Sequence, residues 1–98
     1  MFNIITIPNK KNKEYRITCE EGKFCIESKT TDSKKLEISY SELQNSDCST
    51  EKEILDYIKN KILEFFKVKK KYDNIIVYYA SGKEIRKIKD IIAEKRHK

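Results

Sequence analysis

The chain has no tryptophan, one proline, two glycines and one histidine in 98 residues. Each shortage removes a class of structure or chemistry. So few glycines and prolines argue against long disordered stretches. The lone histidine, His97, is the penultimate residue, where chains fray. It makes a poor base for a Ser-His or Cys-His pair. Three cysteines with that one histidine give no zinc set of workable spacing. No metal or other cofactor is expected. No apolar run approaches the ~20 residues that span a membrane. The opening MFNIITIPNKK lacks the basic start and apolar length of a secretory leader. Three cysteines, an odd number, without such a leader point to reduced thiols and a cytoplasmic location.

Charge is what the chain has in excess. Charged residues make up 39% of it, against about 25% in an ordinary domain. The length suits one small domain spanning residues 1–98. Such a chain buries roughly 60–70% of its unfolded surface. The core must be lean, and 15 isoleucines supply much of it. The basic residues are 19 Lys and 3 Arg. An AT-rich coding sequence favours Lys, Ile, Asn and Tyr by itself, as in phages and mobile elements of AT-rich bacteria. The distribution is less easily attributed to codon bias. Residues 1–49 hold eight cationic and eight acidic side chains, whereas residues 50–98 hold fourteen and eight. The whole net charge of +6 lies in the second half, which points to a polyanionic partner.

Periodicity divides the chain into elements. FNIITI (2–7) reads as a strand, closed by Pro8 and the polar NKKNK. Tyr15, Ile17 and Cys19 alternate with polar residues, as do Phe24 and Ile26. Glu21 and Gly22 between them fit a two-residue hairpin turn. The implied register opposes Glu20 to Lys23, Cys19 to Phe24 and Ile17 to Ile26. A further strand over 35–40 places Leu36, Ile38 and Tyr40 on one face, and 41–49 reads as a loop. Thr50 and Glu53 then form a capping box. Behind it, Ile54, Leu55, Ile58, Ile62, Phe65 and Phe66 fall within about 120° of helical arc. IIVYYA (75–80) is short and β-branched, which suggests an interior strand buried on both faces. Ser81 and Glu84 form a second capping box, and Ile85, Ile88, Ile91 and Ile92 give the last helix its stripe. The fold class is therefore α+β in the order β-β-β-β-α-β-α. An antiparallel meander is followed by α-β-α, with both helices on one face of a mostly antiparallel sheet.

The cysteines make neither a disulfide nor a metal pair in this register. Cys19 shares a face with Phe24, so Cys25 points the other way, and a bridge needs Cβ atoms about 3.8 Å apart. One core thiol and one surface thiol are expected. The stretch YYASGKEIRKIKD (78–90) has the look of a phosphate site, but its spacing fails. A P-loop ending at Gly82 and Lys83 would need glycine at Val77 and a hydroxyl at Glu84. A candidate anion site survives at Ser81, Gly82 and Lys83, since any helix N-terminus offers free N–H groups. A capped helix explains the same residues. Basic clusters follow both helices: Lys67, Lys69, Lys70 and Lys71, with Tyr72, and then Lys95, Arg96 and Lys98. If the last helix runs back antiparallel to the strand before it, both clusters meet at one pole. That pole is the candidate nucleic-acid-binding site, Lys-rich and so suited to phosphate more than to base readout. The outer face of the last helix, with Lys83, Arg86, Lys87, Asp90 and Glu94, reads as ordinary solvated surface with an Arg86–Asp90 pair.

The leading expectation is a non-catalytic binding or regulatory protein whose partner is a nucleic acid or a nucleoprotein complex. One alternative is a protein-binding inhibitor, immunity or adaptor protein that meets an acidic protein surface. Another is a small ribonuclease-type toxin without histidine, using residues such as Tyr72, Tyr78, Tyr79, Lys83 and Arg86.

Overall fold

The computed structural model describes residues 11–29, 33–69 and 73–96. The expected strand over 2–7 lies outside them. Seven elements follow in order: β1 (Lys11–Glu20), β2 (Lys23–Ser28), β3 (Lys35–Ser39), α1 (Tyr40–Gln44), α2 (Glu51–Phe65), β4 (Asp73–Tyr79) and α3 (Lys83–Arg96). The fold is α+β, and its sheet is mixed. The strand order is β3-β2-β1-β4, with β1 antiparallel to β2 and parallel to β4.

The hairpin register follows the side-chain pattern. Glu20 opposes Lys23, Cys19 opposes Phe24 and Ile17 opposes Ile26. Gly22 makes the turn at φ 76°, in the left-handed region that glycine enters without steric cost. Tyr15, Ile17, Phe24, Ile26, Leu36 and Ile38 line the inner face of the sheet. Leu43, Ile54, Ile58, Ile62, Ile88 and Ile91 cover that face from the helices, all six with no exposed surface. At about 25 cal/mol per Å² of apolar surface removed from water, this layer is the main stabilising term.

Four expectations change. First, the polar run before Glu14 is strand: β1 starts at Lys11, where backbone pairing to Asp73 in β4 outweighs weak side-chain signal. Second, β4 is not interior among the described strands. It forms one edge of the described sheet, and its outward Ile76 is 40% exposed. The run is apolar because Ile75, Val77 and Tyr79 pack inward, not because both faces are covered. Third, residues 40–44 are helix. Ser39 accepts the N–H of Glu42, so Ser39-x-x-Glu42 is a third capping signature, and Leu43 plugs the core behind it. Fourth, Cys25 does point outward but is only 4% exposed. Charged neighbours fence it: Lys23–Glu37 at 2.9 Å, Arg16–Glu27 at 3.4 Å and Lys35–Glu27 at 3.4 Å. Burial, then the Glu20 carboxylate, pushes its thiol pKa up, which keeps it protonated and unreactive.

The helix ends are chemically specified. Thr50 accepts the Glu53 N–H at 3.2 Å, and the Glu53 carboxylate reaches back to the Ser49 N–H at 3.3 Å. At the other end of α2, Lys67 takes φ 54° and the Val68 N–H donates to Leu63 O at 3.0 Å. This is a Schellman closure with lysine where glycine is usual.

The course of α3 departs most from expectation. It begins beside the end of β1, where Glu84 accepts the Cys19 N–H at 3.1 Å. It ends against the α1–α2 connection. Lys95 Nζ donates to Ser46 O at 2.9 Å, to Ser46 Oγ at 3.2 Å and to Cys48 O. Gln44 donates to Glu94 nearby. The last helix therefore arrives at the start of α2, not at its end.

Candidate nucleic-acid interface

The helix N-terminus at 81–83 is already occupied by the Glu84 side chain. Glu84 is 1% exposed and is the only charged or polar residue in the core among the described residues. Its carboxylate accepts the Ser81 N–H at 2.6 Å, the Ser81 hydroxyl at 3.1 and 3.2 Å, and the Cys19 N–H. The Lys83 N–H donates to Ser81 Oγ at 3.2 Å. β4 stops at Tyr79, with Ala80 N–H on Ile17 O. Beyond it, the Cys19 amide of β1 would lack an acceptor, and the glutamate supplies one. A phosphate placed here would meet that carboxylate. Gly82 is not needed for close approach, since an added Cβ would meet only the Arg86 guanidinium at 3.9 Å.

The described members of the two basic clusters, Lys67 and Lys69 on one side and Lys95 and Arg96 on the other, do not gather at one pole. Lys67 and Lys69 are exposed at the end of α2. Arg96 shares a cavity of about 540 Å³ with Thr50 and Glu51 at the start of α2. The 15 residues of α2 separate the two groups, which at 1.5 Å per residue is about 22 Å. Lys95 is not available either. Its three ammonium donors match three acceptors from Ser46 and Cys48. Lys70, Lys71, Tyr72 and Lys98 lie outside the described residues.

A run of exposed cations also lies along α3. Lys83, Arg86, Lys89 and Arg96 are exposed. Among the described residues, the ion pairs are Arg16–Glu27, Lys23–Glu37, Lys35–Glu27 and Lys61–Glu42. None involves α3. The expected Arg86–Asp90 pair is not made: Arg86 Nε instead donates to Gly82 O, at 3.4 Å. Lys87 sits 4.5 Å over the Tyr40 ring, a cation–π contact. At 100° per residue, Arg86, Lys89, Ala93 and Arg96 fall on one side of the helix. That spacing was present in the sequence, but i,i+4 charge pairing pointed to a self-neutralised face.

The outer face of the sheet is different in kind. The ion pairs around Cys25 balance its charge. A smaller cavity of about 230 Å³ is lined by Arg16, Glu27, Ser28, Lys29 and Tyr78. Lys29 lies 5.3 Å over the Tyr78 ring, and exposed Ile76 neighbours it on β4.

Of the residues offered for a nuclease, the described ones do not converge. Tyr78 belongs to that outer face, while Tyr79 packs against the core on the opposite one. The Tyr79 hydroxyl is buried without a hydrogen-bond partner among the described residues. Burial first, then the Glu51 and Glu84 carboxylates, raises its pKa and holds it neutral. Among the described residues, no group of three or more His, Cys, Asp or Glu could hold a metal ion. No described helix is long and apolar enough to cross a membrane. No family model, curated protein or solved structure matches the chain.

Proposed function

We propose that this is a non-catalytic binding protein that engages nucleic acid, alone or in a nucleoprotein complex, through the outer side of α3. The observation that carries the reading is the exposed, unpaired set Arg86, Lys89 and Arg96, with Lys83 beside it. The described ion pairs take up Arg16, Lys23, Lys35 and Lys61, and none involves a cation of α3. From Arg86 to Arg96 the helix rises about 15 Å, which is the axial rise of some four nucleotides of one strand. Both arginines present a planar fork suited to phosphate oxygens. Three or four phosphate contacts give log Kobs against log salt a slope of about −3 on duplex DNA. Titration of labelled duplex and single strands at two salt concentrations tests this. No binding at low salt, or binding without salt dependence, would overturn it.

A second reading has its own observation. Ile76, Tyr78 and Lys29, beside the Arg16–Glu27 ion pair, form a mixed apolar and charged patch on the outer sheet face. Tyr and Arg are the residue types that dominate protein interfaces. An inhibitor, immunity or adaptor protein would use such a patch on an acidic partner surface. A stoichiometric protein partner that survives nuclease treatment, and is lost on Tyr78→Ala, would select this reading over the first.

A further inference from the structure

We infer that the cleft between α3 and the start of α2 receives an unstacked nucleobase, so that the protein prefers single-stranded nucleic acid. This rests on the nucleic-acid reading above and narrows it. The cleft measures about 540 Å³ and is lined by Thr50, Glu51, Lys89, Ile92, Ala93 and Arg96. That volume is within the roughly 300–1,000 Å³ of small-molecule sites. Its chemistry is divided. Lys89 and Arg96 bring positive charge, Ile92 and Ala93 bring an apolar wall, and Glu51 brings a carboxylate. A phosphate inside the cleft would face Glu51 at close range. A base suits the same surroundings: its flat apolar faces lie against Ile92 and Ala93, and its amino or imino N–H groups donate to Glu51. The phosphates on either side of that base then fall to Lys89 and Arg96, continuing the track from Arg86. Bases in a duplex are stacked and paired, so only a single strand can insert one without an unstacking penalty.

The test uses the full chain and four probes: a mixed-sequence single strand as DNA and as RNA, its DNA duplex, and heparin as a polyanion without bases. Ala93 is exposed on a helix, so Ala93→Leu fills the cleft with a good helix former. Ala93→Gln repeats the test with a polar filler. The single strand is expected to bind about 5- to 10-fold tighter than the duplex, near the lower end of what stacking on an aromatic ring contributes, because the wall here is aliphatic. Ala93→Leu and Ala93→Gln are expected to abolish that preference while heparin and duplex binding stay unchanged. Equal wild-type affinity for single strand and duplex would overturn the inference and leave the binding function standing. So would a preference that survives both fillers. Failure to bind any of the probes would overturn both.

Discussion

Removing the Glu84 carboxylate should destabilise the protein more than an ordinary cap loss. In Glu84→Ala two backbone donors lose their acceptor. The Ser81 N–H, accepted at 2.6 Å, sits at an exposed residue and can find water, so its share is that of a helix cap, about 1 kcal/mol. The Cys19 N–H, accepted at 3.1 Å, lies beside the buried carboxylate, where an unsatisfied donor costs about 1–3 kcal/mol. The sum is about 2–4 kcal/mol, a large part of the roughly 5–15 kcal/mol that holds a small domain. Glu84→Gln keeps one carbonyl acceptor and should lose about half as much. Urea unfolding reads the difference from the midpoint at constant m. Amide exchange at Cys19 reads the specific bond, and should quicken in both variants. A loss below about 1 kcal/mol in Glu84→Ala, or unchanged exchange at Cys19, would refute the claim that the glutamate completes the edge of β1.

Three other perturbations follow from single contacts. Lys95→Met keeps the aliphatic stem but removes the charge-assisted bonds to Ser46 and Cys48, and should cost about 1.5–3 kcal/mol in urea unfolding. Lys67→Gly relieves a left-handed lysine and should stabilise by about 1 kcal/mol, raising Tm while removing one cation. Tyr57 donates to Glu42, and that bond, aided by burial, pushes its pKa up to about 12. A pKa raised in the folded state stabilises below the unfolded value, about 10, and that contribution is lost as pH rises from there through about 12. Tyr57→Phe should flatten the decline of stability over that window, measured by urea midpoints across alkaline pH.

Local pattern carried far into the structure, and long-range placement did not. The Glu21–Gly22 hairpin and its register were legible because side-chain alternation has a period of two and the turn chemistry agrees with it. Two helices announced themselves through Thr50 with Glu53 and Ser81 with Glu84. The third signature, Ser39 with Glu42, was equally present and was masked by the polar run after it. The direction of α3 was not legible. A helix that follows a strand is expected to return along it, but the Lys95 ammonium and the Glu84 carboxylate fix its two ends to the α1–α2 connection and to β1. Neither partner is near in sequence. Because α3 takes that course, Lys67 and Lys69 lie apart from the cations of α3, and the unpaired stripe on α3 becomes the better candidate site.

The most direct test of that assignment holds net charge constant. Arg86→Glu with Lys89→Glu and Lys67→Glu with Lys69→Glu each change the charge of the exposed surface by the same amount. Titrated against one labelled oligonucleotide at low salt, the α3 pair is expected to lose at least tenfold more affinity than the α2 pair, and to reduce the salt slope by about 2. Equal losses would mean that only net charge matters, and a greater loss from the Lys67 and Lys69 pair would place the interface at the other end of α2.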